Sequence, residues 1–321
     1  MAEVNAALLA LARQALREWD LGGAHLEPIG ISENASFRVD GPDKRYVLRI
    51  HRPGYHTLAE LDSEQVWTAA LREAGLDVPV PVRTRDDDGY VTLPFDGGER
   101  HIGLLEWVDG ELMGRIMDRE PSTFPEHFRA IGRIAAAIHN QSAAWTVPNG
   151  FQRHRFDVEG FVGDRAFWGP FWDIPQLDAA QRGVLGNARN AVADELSRLD
   201  DSANTFSLIH ADLHPHNVVV GEQGLHLIDF DDSGFGWHHY ELAVVLYRYR
   251  DLDGFNDMQA ALIEGYRERR PFSDADVTKL PLFFLIRTLV HLGWRAERPE
   301  HGTDLTEEID DAIREAKEWM G

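Results

Sequence analysis

The sequence predicts an α+β fold of two lobes: a small N-terminal lobe built on an antiparallel sheet with one helix, and a larger, mainly helical C-terminal lobe. Short extended runs bounded by turn residues fill most of the chain before residue 106. Apolar residues at helical spacing fill most of the chain after residue 110. The 321 residues are enough for two such lobes. We place the N-terminal lobe at residues 1–106, a hinge at 107–110 and the C-terminal lobe at 111–321.

The N-terminal lobe is predicted to begin with a leading helix over residues 6–19, which has apolar residues at helical spacing. The core helix of the lobe is expected at 57–74 and ends at Gly75. Turn residues at 41–44 and 86–89 separate neighbouring extended runs. The predicted strands are 25–31, 36–40, 46–51, 80–84, 89–95 and 101–106.

The C-terminal lobe is predicted as long helices with one interruption. Helices are expected at 125–140, 177–199, 237–250, 257–269 and 274–295. The second and third helices are separated by three short apolar runs at 206–210, 218–220 and 225–230. Residues 221–224 form a tight turn between the last two runs, so the interruption is a loop followed by a hairpin.

Composition narrows the classes of function. The chain has no cysteine, which excludes thiolate metal sites and cysteine catalysis. Its 54 acidic and 32 basic residues give a formal charge of −22, which argues against nucleic acid as a partner. The negative surplus fits a well-solvated surface or an acceptor that carries positive charge. The oligomeric state stays open.

The chain shows no sign of a targeting or membrane-spanning segment. Charged residues interrupt the N-terminal helix, and no small-residue cleavage site follows it. The most apolar run, 281–294, is short for a membrane span and contains Arg287 and His291. We therefore expect a cytoplasmic protein.

One polar loop and the hairpin after it carry the clearest chemistry. Asp212 and Asn217 lie five residues apart, and Asp229 follows Asn217 by twelve residues, at the end of the returning strand. A hairpin of that length would bring Asn217 and Asp229 side by side. Phosphoryl transfer needs one carboxylate beside the acceptor hydroxyl, and oxygen ligands such as a second carboxylate and an amide for Mg²⁺. The spacing therefore predicts a phosphoryl-transfer site.

The pattern His-x-Asp, four residues, Asn, followed by Ile-Asp-Phe at 228–230, resembles the aminoglycoside phosphotransferase and choline kinase superfamily, which has a protein-kinase-like fold. Within it the chain looks most similar to bacterial homoserine-kinase-type and stress-response-kinase-like members. The resemblance implies ATP and Mg²⁺ as cofactors. It implies Asp212 as the catalytic base or hydroxyl-orienting residue and Asn217 and Asp229 as metal ligands. Asp231 would be either a carboxylate behind the metal ligands or a ligand of a second metal. His210 would brace the loop.

The nucleotide site is predicted from the same resemblance. Kinase-like folds place a cation on the third strand, at the phosphates, and a helix glutamate beside it. Here the strand offers Arg49 where the family usually has lysine, and the helix offers Glu60 or Glu64. We prefer Glu64 because it lies beside the apolar side of its helix. Arginine keeps the charge and can grip two phosphate oxygens at once.

The loop before the second strand takes the place of the kinase glycine-rich loop but contains no glycine. Ser32, Asn34 and Ser36 in this loop either donate hydrogen bonds to phosphate or only form a turn. The adenine ring is expected against the hinge, at the backbone of Glu106 and Val108.

The acceptor side is predicted from an irregular aromatic segment at 151–175, which is either a wall over the acceptor or a packed loop. Asp231 and Glu241 could also read an amine, whereas His238 and His239 are expected to be structural. An amino-alcohol, amino-acid or amino-sugar hydroxyl fits the acidic character. The candidate acceptor residues are Asp173, Asp232, Trp168, Trp172, Trp237 and Tyr240.

Three alternatives remain open from the sequence. A protein serine/threonine kinase of the stress-response type would share the same motifs. Arg49 and the glycine-free loop would also suit a pseudokinase that binds nucleotide without catalysis. A metal-dependent hydrolase would instead use His210, Asp212, His214 and His216 as a transition-metal site.

Overall fold

The computed structural model describes residues 6–31 and 34–321. The strands are β1 (His25–Ile31), β2 (Ala35–Asp40), β3 (Arg45–Ile50), β4 (Tyr90–Phe95), β5 (Gly98–Glu106), β6 (Glu111–Leu112), β7 (Arg155–Phe156), β8 (Phe206–Ile209), β9 (Val218–Gly221), β10 (Gly224–Leu227) and β11 (Gly234–Trp237). The helices are α1 (Ala6–Ala15), α2 (Leu58–Glu73), α3 (Met113–Arg119), α4 (Phe124–Ala144), α5 (Val158–Val162), α6 (Ala179–Leu196), α7 (His238–Tyr247), α8 (Phe255–Arg267), α9 (Asp274–Val277), α10 (Leu280–Ala296) and α11 (Thr306–Met320). Most of the long elements fall where sequence periodicity predicts them, while α3, α5, α11, β6, β7 and β11 were not predicted.

The chain divides into two compact units. Unit 1 comprises Met1–Glu111, Pro148–Gln152 and Val219–Asp231, and unit 2 comprises Leu112–Val147, Arg153–Val218 and Asp232–Gly321. Most of the β9–β10 hairpin thus belongs to unit 1, whereas the predicted division assigns it to the C-terminal lobe. Within unit 1, the Leu227 amide donates to the Asp77 carbonyl at 2.9 Å, and His226 Nδ1 lies 2.7 Å from Asp77 Oδ2. The lobe boundaries stay a prediction.

Unit 1 is built on a five-stranded antiparallel sheet with the order β1-β2-β3-β5-β4. Its apolar core contains Leu16, Phe37, Leu48 and Leu104, all nearly or completely buried. In β3 the register pairs Arg49 with Ser36 of β2 and with Gly103 of β5. Arg49 therefore lies on a strand that is paired along both edges, which restricts its backbone.

One predicted strand is wrong. Residues 80–84 form only an isolated bridge, between Pro81 and Leu105. Proline has no N–H to donate, so the Pro-Val-Pro run at 79–81 cannot complete a ladder. The leading helix is also shorter than predicted, since α1 ends at Ala15 and continues as a 3₁₀ turn over Leu16–Trp19.

Helix α2 starts at a capping box. The Thr57 hydroxyl accepts from the Glu60 amide at 3.3 Å, and the Glu60 carboxylate accepts from the Thr57 amide at 2.7 Å. The buried side of α2 includes Trp67 and Glu64, whereas Val66 is 44% exposed. Glu60 is thus used in starting the helix, and Glu64 faces inward.

Unit 2 is mainly helical. Its core draws on α6, α7, α10, α11 and the 156–177 segment, with Phe161, Tyr240 and Phe283 completely buried. A small sheet of order β7-β11-β8 lies in it, and the hairpin strands form a further sheet of order β10-β9-β6. The predicted helix 274–295 is divided by a turn at 278–279 into α9 and α10.

The stretch Asp274–Ala296 is long and apolar enough to cross a membrane by length and composition alone. A core helix of a water-soluble protein passes the same test, and ten residues of α10, among them Phe283 and Leu289, are buried in unit 2. The apolar character of this stretch is therefore accounted for by packing.

Candidate active site

The loop between β8 and β9 belongs to unit 2 and carries Asp212 and Asn217. The Asn217 amide nitrogen Nδ2 donates to Asp212 Oδ2 at 3.1 Å and to the Asp212 carbonyl at 2.9 Å. Asn217 ends a short 3₁₀ turn that His214 caps. The five-residue spacing therefore folds the loop back on itself, so that the amide of Asn217 holds the carboxylate of Asp212.

A buried carboxylate anchors the start of this loop. Glu241 of α7 is completely buried, and its two oxygens accept from the amides of His210 and Ala211, each at 2.8 Å. Burial raises the pKa of Glu241, and the two amide hydrogen bonds oppose that rise. Ala211 has φ 65°, a left-handed conformation that alanine rarely adopts. Glu241 therefore stabilises a strained backbone, and its predicted role in reading an amine does not fit these contacts.

His210 also braces the loop. Its Nδ1 accepts from the Asp212 backbone amide at 3.3 Å. The side chain of His210 is completely buried. These contacts are those of a residue that braces the loop, and the roles of His210 and Asp212 in the reaction stay predictions.

Arg287 of α10 is the partner of the other Asp212 oxygen, and sequence reasoning did not assign it a role. Its Nη2 donates to Asp212 Oδ1 at 2.9 Å, and its Nη1 donates to the Tyr240 hydroxyl at 3.2 Å. Burial disfavours the Asp212 carboxylate, but His214, Arg287 and His210 outweigh it and hold the pKa of Asp212 below its ordinary value. Asp212 is thus an anion at neutral pH. An arginine inside the apolar run 281–294 was the available signal, since a buried cation requires a partner.

The histidines of the loop do not form a metal site. In the described part of the chain, His210, Asp212, His214 and His216 are not a group of ligand atoms within 4.8 Å of one another. His214 Nδ1 instead accepts from the His216 amide at 3.2 Å. The transition-metal hydrolase interpretation therefore lacks its central requirement.

In unit 1, Arg49 of β3 contacts Asp229, which follows the β9–β10 hairpin. Arg49 Nη2 donates to Asp229 Oδ1 at 2.7 Å and lies 3.7 Å from Asp231 Oδ1. The Arg49 side chain is only 10% exposed, whereas that of Asp229 is 48% exposed. Burial alone would lower the pKa of Arg49, but Asp229, Asp231 and Glu64 raise it above its ordinary value. The guanidinium is therefore charged and fixed beside carboxylates.

Asp231 is more deeply buried than Asp229. Its side chain is 5% exposed, with His51 Nδ1 at 3.4 Å and His56 Nε2 at 3.8 Å. Burial opposes the charge, yet His51 and Arg49 hold the pKa of Asp231 below its ordinary value. The metal role stays a prediction, and these contacts favour a role in holding Arg49.

The other predicted nucleotide residues divide into three groups. Ser32 lies outside the described residues. Asn34 is buried and its Oδ1 accepts from the Arg52 amide at 3.1 Å, while Ser36 is paired to Arg49 in the sheet. At the hinge, the Glu106 amide donates to the Val80 carbonyl at 2.9 Å, so an adenine would need the Glu106 carbonyl or the Val108 backbone instead.

The predicted acceptor residues fall into two groups, one around Arg287 and one elsewhere in unit 2. Trp168, Tyr240 and Asp232 surround Arg287: the guanidinium carbon is 5.9 Å from the Trp168 ring centroid, Tyr240 accepts a hydrogen bond, and Asp232 interacts electrostatically. Asp173, Trp172 and Trp237 have their contacts elsewhere in unit 2. Asp173 pairs with Arg182, Trp172 lies 3.9 Å from the Arg189 guanidinium, and Trp237 donates to the Asp200 carbonyl at 3.1 Å.

The aromatic segment 151–175 is a packed loop rather than a wall. Phe156, Phe161 and Phe171 are completely buried, and Trp168 stacks on Phe156 at 4.6 Å. These side chains form part of the core of unit 2. The structural interpretation of His238 also fits, because its Nε2 lies 2.9 Å from the Ser207 hydroxyl.

The donor set fits Mg²⁺, which takes oxygen ligands. Because Asn217 Nδ2 donates to Asp212, the amide oxygen of Asn217 is the atom left for a metal. Asp229 offers a half-exposed carboxylate on a residue with φ 65°. Asn217 belongs to unit 2 and Asp229 to unit 1, so their predicted proximity stays a prediction.

Comparison with solved structures confirms the predicted kinase-like fold. A microcompartment-associated aminopropanol kinase is 33% identical, with a TM-score of 0.82 over 96% of this chain and 94% of that kinase. The amicoumacin kinase hAmiN, solved with AMP-PNP and Ca²⁺, has a TM-score of 0.77 at 18% identity, over 98% of this chain and 93% of that kinase, which shows the fold alone.

Curated sequences give the same family. Amicoumacin kinase of Bacillus subtilis is 23% identical over 82% of this chain and 77% of that kinase. Homoserine kinase of Parvibaculum lavamentivorans is 29% identical over 66% of this chain and 61% of that kinase. The phosphotransferase enzyme family model APH matches residues 25–272. The chain therefore belongs to the APH phosphotransferase family, and the relatives named above are kinases that act on hydroxyl groups of small molecules.

Proposed function

We propose that this enzyme is a cytoplasmic kinase that transfers the γ-phosphoryl group of ATP to the hydroxyl of a small, amine-bearing alcohol. The observation that carries the proposal is the carboxylate of Asp212, ionised, 25% exposed and held on both oxygens by Asn217 and Arg287. Such a carboxylate can accept a hydrogen bond from an alcohol and then its proton.

In the proposed reaction, Asp212 orients the acceptor hydroxyl and takes its proton as the oxygen–phosphorus bond forms. The bond from the γ-phosphorus to the β–γ bridging oxygen breaks, and ADP leaves. Asn217 and Asp229 would hold Mg²⁺, which when bound neutralises charge on the phosphate oxygens. Arg49 would contact the α- and β-phosphates, with Asp231 and Glu64 keeping its guanidinium in place.

The amine on the acceptor is proposed from charge and from the relatives. The chain carries a formal charge of −22, which favours cationic over anionic small molecules near its surface. The aminopropanol kinase, at 33% identity, acts by its name on an amino alcohol. Asp232, which interacts electrostatically with Arg287, is the carboxylate we propose for the amine.

A thermal-shift and transfer experiment tests the proposal. Mg-ATP should raise the melting temperature of the wild-type protein, and Asp229→Ala should abolish the shift. Asp212→Ala should keep the shift and lose phosphate transfer to a panel of aminopropanol, homoserine and choline. Asp164→Ala is the control, because this side chain is 93% exposed and pairs with Arg189. A wild-type protein that binds Mg-ATP but phosphorylates no acceptor in a broad hydroxyl panel contradicts the proposal and favours a nucleotide sensor.

A further inference from the structure

Arg287 is a cation placed at the proposed catalytic base by a helix far away in sequence. It lies 75 residues beyond Asp212, on α10, and its Nη2 donates to Asp212 Oδ1 at 2.9 Å. The two side chains are 17% and 25% exposed, so the pair is shielded from most of the solvent. This contact joins the loop after β8 to a core helix of the same unit.

The two oxygens of Asp212 have different partners. Oδ2 receives Asn217 Nδ2 at 3.1 Å and lies 3.4 Å from His214 Nε2, both from the loop itself. Oδ1 receives Arg287. The loop fixes one end of the carboxylate and α10 fixes the other. Removal of Arg287 would leave the carboxylate free to rotate about the bond to its β-carbon.

Arg287 is itself held in place. Its Nη1 donates to the hydroxyl of Tyr240, a completely buried residue of α7, at 3.2 Å. The guanidinium carbon lies 5.9 Å from the centroid of the buried Trp168 ring. A planar guanidinium with its two terminal nitrogens directed at two different oxygens has little freedom to turn.

Stability does not explain this arrangement well, because a buried ion pair can often be replaced by apolar residues without loss of stability. Catalysis explains it better, since an error of about 1 Å in the placement of a reacting group can reduce the rate roughly 100-fold.

We propose that Arg287 is a positioning residue that fixes the carboxylate of Asp212 in the orientation that accepts the acceptor hydroxyl. This proposal rests on the proposed function, in which Asp212 is the base. Because Arg287 acts through its contact with Asp212, it should govern the transfer step and leave ATP binding unchanged. Tyr240 supports it through the hydroxyl.

The test compares Arg287→Ala with Arg295→Ala, each measured for kcat and for the KM of ATP with the best acceptor among aminopropanol, homoserine and choline. Arg295 lies on the same helix and forms a similarly shielded pair with Glu308, at 2.7 Å, away from Asp212. We expect kcat to fall roughly 100-fold for Arg287→Ala and less than about threefold for Arg295→Ala, with the KM of ATP unchanged in both.

Chemical rescue separates positioning from folding. Ethylguanidinium should restore kcat of Arg287→Ala by at least about tenfold and leave Arg295→Ala unchanged, because only the first variant has a guanidinium-shaped gap at the base. Tyr240→Phe, which keeps the ring and removes the hydroxyl, should lower kcat by a smaller factor than Arg287→Ala and provides a milder probe if Arg287→Ala does not fold.

The outcomes are distinguishable. An active wild type, together with folded Arg287→Ala and Tyr240→Phe variants whose kcat equals that of Arg295→Ala, overturns the positioning role and leaves the proposed function intact. A wild type without transfer to any hydroxyl refutes both.

Discussion

Replacing Glu241 with glutamine tests whether a buried charge holds the loop that carries Asp212. Both carboxylate oxygens accept backbone hydrogen bonds at 2.8 Å, from His210 and Ala211. Glutamine has nearly the same shape but offers one oxygen and one NH₂ group. In the variant, one of the two backbone amides must therefore face a donor, in a place that solvent does not reach.

The expected loss follows from these contacts. A hydrogen bond to a charged acceptor contributes about 1.5–3 kcal/mol, and a buried N–H left without an acceptor costs about 1–3 kcal/mol. Glutamine recovers part of this loss because it buries no charge, and burial already disfavours the charged form of Glu241 by raising its pKa. We expect a net loss of about 3 kcal/mol in the free energy of unfolding. Ala211, at φ 65°, should relax, and Asp212 should move with it.

Urea unfolding followed by circular dichroism measures the free energy of unfolding. The value of kcat with Mg-ATP and the preferred acceptor shows whether the loop still holds Asp212 in position. Glu264→Gln is the matched control, because this carboxylate is 60% exposed and pairs with Arg129 at the surface. A surface pair contributes less than about 1 kcal/mol. If both variants unfold at the same urea concentration and retain the same kcat, the anchoring role assigned to Glu241 is wrong.

Three further predictions follow from buried groups. Burial lowers the pKa of His239 and His291 to about 4 from 6.5. As the pH falls, the unfolded chain therefore binds protons at these histidines at a higher pH than the folded chain does. The contribution of each neutral histidine to the free energy of unfolding should be fully present above pH 6.5 and should be lost as the pH falls towards 4, by up to about 3 kcal/mol for each histidine. Urea unfolding across that pH range measures this loss. Asp231→Asn should cost about 3 kcal/mol in the free energy of unfolding, because it removes a buried carboxylate beside the buried Arg49 guanidinium, whereas Asp229→Asn, at a half-exposed position, should cost less than about 1 kcal/mol. In calorimetry, Gly265→Ala should lower the melting temperature by several degrees, since the added Cβ would lie 2.0 Å from a backbone carbonyl of α4.

The sequence alone predicted the structure correctly where residues close together in the chain determine it. Helix α4 and the β9–β10 hairpin follow from periodicity and turn residues. The placement of Asp212 and Asn217 on one loop follows from their spacing, and the structure shows that the loop brings the two side chains into contact. The capping box of α2 has the same local character. Such contacts are visible in a sequence because both partners are in view together.

Contacts over long distances in sequence could not be predicted in the same way. Arg287 and Asp212 are 75 residues apart, and Arg49 and Asp229 are 180 residues apart. The sequence showed that Arg287 lies in an apolar run, which implies a partner without naming it. The aromatic segment 151–175 was ambiguous for a related reason, since buried core and ligand wall use the same residue types.

The two loops proposed to carry the chemistry share a physical feature that links these contacts. Ala211, next to Asp212, and Asp229 both have φ 65° without being glycine. A left-handed residue of this kind costs about 1–3 kcal/mol and persists only when its surroundings hold it. The partners that hold them are buried charges on regular elements: Glu241 of α7 for Ala211, and Arg49 of β3 for Asp229. In each unit, therefore, a helix or strand holds a left-handed residue in place through a buried charged side chain. Isosteric neutral substitutions at these two charges should accordingly impair phosphate transfer more than their effect on stability alone would cause.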